Sequence, residues 1–227
     1  MKFLIGSSYF DHGEEHRKEF ARVWHFNTLQ ARPEPARIVV ICEGGCVIPY
    51  ASPNMDVIHL SGDLGNFMHL VNKQKPHRHT GWSASMIALA MLAYVDESDF
   101  IYKEQDCLAF GQWVDTMYRD LGDGDIVFGA KHESPPYQGC SQSLFLVRHR
   151  FIPEFITKYL TYGPEGNMDM LGEHRFMNME RELGRSRVKQ LSFGVDRERP
   201  IPWDKPVWYA QQWKNDELEE AHRRRLI

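Results

Sequence analysis

At 227 residues the chain is long enough for one domain with a substantial core. Its hydrophobic content of 42% and aromatic content of 12% belong to a folded globular protein and exclude a disordered one. A formal net charge of −4 is not the basic balance of a general nucleic-acid binder, and no stretch approaches the about 20 apolar residues of a membrane span.

Lys2 to Ile5 reads as a first strand, closed by Gly6-Ser7-Ser8. Small residues directly after a first strand let the backbone approach a ligand at the carboxyl edge of an open sheet; a tight strand-to-helix turn needs the same residues. No Gly-x-Gly-x-x-Gly follows, so a dinucleotide fingerprint is absent. Charged residues from Asp11 onward make Met1–Gly6 too short for a signal peptide. Glu14 to Gln30 has the period of an amphipathic helix, with Phe20, Val23 and Trp24 on one face, and Pro33 and Pro35 end it. Ile38-Val39-Val40-Ile41-Cys42 is a continuous apolar run, the pattern of a parallel strand covered on both faces.

A third strand, Asp56 to Leu60, leads into Ser61-Gly62-Asp63-Leu64-Gly65. Asp63 leaves a strand end, where it suits a ribose hydroxyl or base edge, or simply forms the turn. Residues Asn72 to Thr80 make a basic, His-rich connection carrying Lys75, His77, Arg78 and His79. Ser83 to Val95 is almost wholly apolar and alanine-rich, so it is expected to lie as a helix close on the sheet. It feeds the strand Phe100-Ile101-Tyr102, which turns abruptly acidic at Glu104 and Asp106 before Leu108-Ala109-Phe110. Apolar residues on both sides draw these carboxylates partly out of water, and buried like charges are costly without a cation. Mg²⁺ or Mn²⁺ removes that cost, binding through one or two carboxylates plus waters and phosphate oxygens.

An apolar strand ending in acidic-x-acidic resembles the Asp-x-Asp signature of the GT-A fold glycosyltransferases, standing here as Glu104-Gln105-Asp106. The order strand, helix, strand, strand, helix, acidic strand is similar too, over roughly the first half of the chain. The resemblance implies an α/β fold, a mostly parallel central sheet flanked by helices. It also implies transfer of a sugar from a nucleotide-diphosphate donor to the hydroxyl of a glycan or other acceptor. By the same resemblance Asp106, with Glu104, holds Mn²⁺ or Mg²⁺, and Gly6, Ser7, Ser8 and Asp63 line the nucleoside pocket. Lys75 and Arg78 would meet the diphosphate, for which charge-assisted contacts are strong.

In the second half, Trp113 to Leu121 reads as a helix and Ile126 to Gly129 as a strand. Small polar residues at Gly139–Ser143 precede the strand that ends at Val147, a segment that in the resembling family shapes the donor and acceptor pocket. Ile152 to Leu160 is a helix with Pro153 in its first turn. The segment from Asp169 opens a helix running to Leu183, and acids there suit the positive end of the helix dipole. The resemblance offers them a second role: an inverting enzyme needs a general base, and Glu173 is the first choice, with Asp169 second.

From Leu191 the chain is rich in aromatics, arginine and proline, so residues 1–190 are read as the catalytic domain and 191–227 as an extension packed on it. Trp203, Trp208, Tyr209 and Trp213 would stack on a sugar or clamp the tail to the body. The charged helix Asn215 to Arg225 closes the chain with the basic run His222–Arg225, a solvated end or a docking element. Cys42, Cys46, Cys107 and Cys140 lack metal-site spacing and read as reduced thiols of a cytoplasmic protein. Two other functions fit parts of this pattern. A sugar-nucleotide nucleotidyltransferase would carry a glycine-rich basic loop after the first strand, which Gly6-Ser7-Ser8-Tyr9 is not. A non-catalytic sugar- or nucleotide-binding domain is compatible with glutamate at position 104.

Overall fold

The computed structural model describes residues 2–9, 15–42, 46–48, 52–60, 80–130, 141–161, 172–195 and 199–226. The chain runs β1 (Phe3–Tyr9), α1 (Glu15–Leu29), β2 (Arg37–Cys42), β3 (Met55–His59), α2 (Thr80–Val95), β4 (Asp99–Lys103) and β5 (Cys107–Phe110). It continues through α3 (Trp113–Leu121), β6 (Ile126–Ala130), β7 (Ser141–Val147), α4 (Ile152–Thr161), α5 (Gly172–Leu183), β8 (Val188–Val195), β9 (Trp208–Gln211) and α6 (Asn215–Arg223).

Seven of these strands form one sheet in the order β3-β2-β1-β4-β7-β6-β8. All run parallel except β7, which is antiparallel to both β4 and β6. The expected α/β architecture is therefore present. Both faces are covered, which explains the unbroken apolar runs. Phe3, Ile5, Ile101, Leu144 and Leu146 face α1 and α3, whereas Leu4, Phe100, Tyr102, Phe145 and Val147 face α2, α4 and α5. Alternate residues of each strand thus enter different cores, as the two-residue strand period requires. Phe145 touches Phe100, Tyr102, Phe128, Phe155 and Phe176 at centroid separations of 5.3–6.1 Å, so one ring joins strands and helices of that layer.

The first strand does not end at Ile5. Gly6, Ser7 and Ser8 belong to β1, paired with Val39, Val40 and Ile41 of β2, and all seven strand residues are buried. The physical reason is close helix packing, since a Cβ on Gly6 would lie 2.6 Å from Leu89 Cδ2 of α2. Glycine here lets the alanine-rich helix settle on the sheet rather than breaking the strand.

The segment after β8 is more ordered than its proline content suggests. β9 pairs antiparallel with β5, Cys107 opposite Gln211 and Phe110 opposite Trp208, in a separate two-stranded sheet. Trp213 packs edge-on against Phe20 at 4.6 Å, Trp203 stacks on Phe110 at 5.9 Å, and Tyr209 is fully buried. Gly111 has φ +75, and a Cβ there would lie 1.9 Å from the Pro206 carbonyl oxygen, so only glycine fits where the two segments cross. Residues 190 and 191, where the sequence suggests the extension begins, both lie inside β8, the edge strand of the main sheet. No helix among the described residues is long and apolar enough to cross a membrane.

Candidate active site

The parallel strands deliver their last residues to one edge of the sheet, and β4 delivers the acidic triplet there. Lys103 ends β4, and Glu104-Gln105-Asp106 turns the chain into β5, closed by Cys107 N–H donating to the Glu104 carbonyl at 2.9 Å. Glu104 N–H donates to the Ser143 carbonyl of β7 at 2.8 Å, and Gln212 N–H donates to the Asp106 carbonyl at 3.2 Å. The turn is therefore held by the main sheet on one side and by the tail on the other. Both carboxylates are half-buried. Gln211 Nε2 donates to Glu104 Oε2 at 2.5 Å. A neutral amide orients that carboxylate without cancelling its charge, as an arginine or lysine partner would.

Beneath the turn lies the last part of α1. Trp24 Nε1 donates to the Lys103 carbonyl at 2.8 Å. Lys103 Nζ, fully buried, donates to Asn27 Oδ1 at 2.6 Å and Thr28 Oγ1 at 3.0 Å. Its ammonium also lies 5.5 Å from the Trp24 ring and 5.9 Å from the Trp113 ring. Burial pushes this amine down to about 7, and the neighbouring Cys107 opposes that shift. Asn27 also embraces Ala109 of β5, accepting from its N–H at 2.9 Å and donating to its carbonyl at 2.6 Å.

On the β1 side, Ser7 and Ser8 are buried near the carboxyl end of the strand, and the Ser8 hydroxyl hydrogen-bonds the Tyr102 hydroxyl at 3.0 Å. Trp82, in the first turns of α2, meets Tyr102 edge-on at 5.3 Å. The structure brings Glu104 and Asp106 together on one turn and sets Ser7 and Ser8 on a strand that pairs with β4. Gly6 serves the contact with α2. Asp63, Lys75, Arg78 and Asp169 lie outside the described residues. Glu173 is the second residue of α5, at a helix start as its sequence context predicts.

Three glutamines in or beside the acidic turn, Gln105, Gln142 and Gln211, each have a buried Oε1 with no hydrogen-bond partner among the described residues. Gln105 is in the turn, Gln142 precedes the β7 residue that receives the Glu104 N–H, and Gln211 bonds Glu104 directly. The Glu104 and Asp106 carboxylates are themselves hard-oxygen donors, two residues apart in this turn. No group of three or more His, Cys, Asp or Glu gathers among the described residues. Mg²⁺ or Mn²⁺ needs only one or two carboxylates, so the residues present fit such an ion.

The same overall architecture is found in known structures. The galactosyltransferase LgtC, solved with donor and acceptor sugar analogs, superposes with a TM-score of 0.57 at 11% identity, over 95% of this chain and 88% of that one. This is the glycosyltransferase fold. A glycosyltransferase involved in glycosylation of the major capsid of PBCV-1 matches over 100% of both chains, with a TM-score of 0.54 and 7% identity. The bifunctional glycosyltransferase WbbM matches at a TM-score of 0.53 and 10% identity, over 86% of this chain and 40% of that one. No protein-family model matches the sequence, and no curated protein matches it.

Within this glycosyltransferase fold, sequence reasoning missed Asn27, Lys103 and Gln211. Lys103 carried a signal, a lysine directly after the buried run Phe-Ile-Tyr. Asn27 and Gln211 carried none, because a polar residue in a helix or tail reads as solvent-facing until the tertiary fold buries it.

Proposed function

We propose that the protein is a glycosyltransferase that moves a sugar from a nucleotide-diphosphate donor to an acceptor hydroxyl. The observation that carries the reading is the Glu104-Gln105-Asp106 turn, held at the carboxyl edge of β4 in a glycosyltransferase fold. Glu104 and Asp106 would hold Mn²⁺ or Mg²⁺, and such an ion supplies neutralisation of the charge developing on a diphosphate leaving group. Lys75 and Arg78 would add cationic contacts to the same group. Ser7, Ser8 and Asp63 would line the nucleoside side. Glu173, with Asp169 as the second choice, would take the acceptor proton if the anomeric centre inverts. The Gln211 amide orients Glu104, and the buried Oε1 atoms of Gln105, Gln142 and Gln211 would offer acceptors to sugar hydroxyls without adding charge.

The test is incubation with a panel of nucleotide-diphosphate sugars, with and without Mn²⁺, measuring released nucleotide diphosphate and transferred sugar. Metal-dependent release from one donor, raised by an acceptor, is expected. Release of pyrophosphate from a sugar phosphate and a nucleoside triphosphate would instead make the protein a nucleotidyltransferase. Binding of a nucleotide sugar with no turnover would make it a binding domain.

A further inference from the structure

Lys103 is fully buried, and no carboxylate pairs with it among the described residues. An ammonium taken out of water without a counter-charge costs more than an apolar side chain of similar length would. Its partial compensation is local: the Asn27 and Thr28 oxygens, two indole rings, and the negative end of the α1 dipole, whose last turn contains no basic residue of its own. Stability alone therefore gives no reason for lysine at this position.

What lysine supplies is direction. Its Nζ and its carbonyl both bind α1, through Asn27, Thr28 and Trp24. Asn27 also grips Ala109, so one side chain ties the stem before the acidic turn to the stem after it. A second donation from Asn27 reaches the Leu226 carbonyl at 3.3 Å, linking the same node to the turn that follows α6. Glu104 and Asp106 are suspended between these two stems.

We infer that Lys103 is a positioning residue: by its buried bonds to Asn27 and Thr28 it fixes the acidic turn, and with it the two carboxylates, relative to the sheet. This rests on the reading of Glu104 and Asp106 as the divalent-ion site. The full chain is compared with Lys103→Met, which keeps the length and removes every donor, and Lys103→Gln, which restores a neutral donor. Three readouts are taken: melting temperature in EDTA, Mn²⁺ affinity by titration, and amide hydrogen exchange of Cys107 and Ala109 in EDTA. Lys103→Met should melt at or above wild type, exchange those amides at least about tenfold faster, and bind Mn²⁺ about tenfold more weakly; Lys103→Gln should recover part of both losses. Unchanged exchange and Mn²⁺ affinity in Lys103→Met overturn the inference and leave the ion site standing. A lower melting temperature in Lys103→Met, with Mn²⁺ affinity unchanged in what remains folded, makes the lysine structural and also overturns it. If wild type binds no Mn²⁺, the ion-site reading falls, and faster exchange in Lys103→Met still supports the positioning role while unchanged exchange overturns that too.

Discussion

Gln211 reaches Glu104 across 107 residues of chain, its side-chain amide 2.5 Å from the carboxylate. The bond ties the tail to the candidate site. Gln211→Leu should keep the β5–β9 pairing, which is made by backbone groups, and lose the orientation of Glu104. A hydrogen bond to a charged group contributes about 1.5–3 kcal/mol, so Mn²⁺-dependent nucleotide affinity should fall about tenfold to hundredfold. Calorimetry on the variant checks this, with circular dichroism to show that the fold remains.

Asp106 anchors the turn through its backbone carbonyl, which accepts from Gln212 N–H, and a change of its side chain leaves that link in place. Asp106→Asn should melt close to wild type and lose the difference in nucleotide-diphosphate affinity between Mn²⁺ and EDTA. Equal affinity with and without the metal in wild type would remove the ion from the scheme.

Glu173 sits at the second position of α5. A general base at this position would contribute to turnover and not to donor binding, and removing such a group costs about 10²–10⁴-fold in rate. Glu173→Gln should show that loss in kcat, with donor affinity near wild type. Parallel loss of both would show that the residue binds donor instead.

Gly6 and Leu89 are in mutual contact through the space a Cβ would fill. Gly6→Val overpacks a buried seam and should destabilise by about 1–3 kcal/mol. Combining it with Leu89→Ala should give less than the sum of the two separate losses, because the smaller residue vacates the space the larger one needs. Urea denaturation of the four proteins measures the coupling.

His25 is buried, and burial lowers its pKa below the ordinary 6.5. In that range the unfolded chain binds a proton that the folded chain refuses, so stability falls as pH drops below about 6.5 and is fully present above it. His25→Gln should flatten this part of the pH–stability curve. Melting temperatures between pH 5 and 7.5 test it.

The sequence by itself determined the elements whose signal is local. Ile38–Cys42 had to be a doubly covered strand, and the alanine-rich run ending at Val95 had to lie on the sheet, because periodicity and side-chain size decide such things within a few residues. The acidic triplet at the end of an apolar strand was legible for the same reason. What the tertiary structure alone decided were the partners. Gly6-Ser7-Ser8 read as a loop, because small polar residues favour turns, yet pairing with β2 and the approach of Leu89 make them strand. Cys107–Phe110 became an independent strand only because Trp208–Gln211 returns to pair with it. Asn27, Lys103 and Gln211 are polar residues whose hydrogen bonds span 75 to 199 positions, and nothing in their neighbours along the chain records those bonds. Local physics sets where the carboxylates stand in the chain; burial of distant polar groups against them sets how they are held.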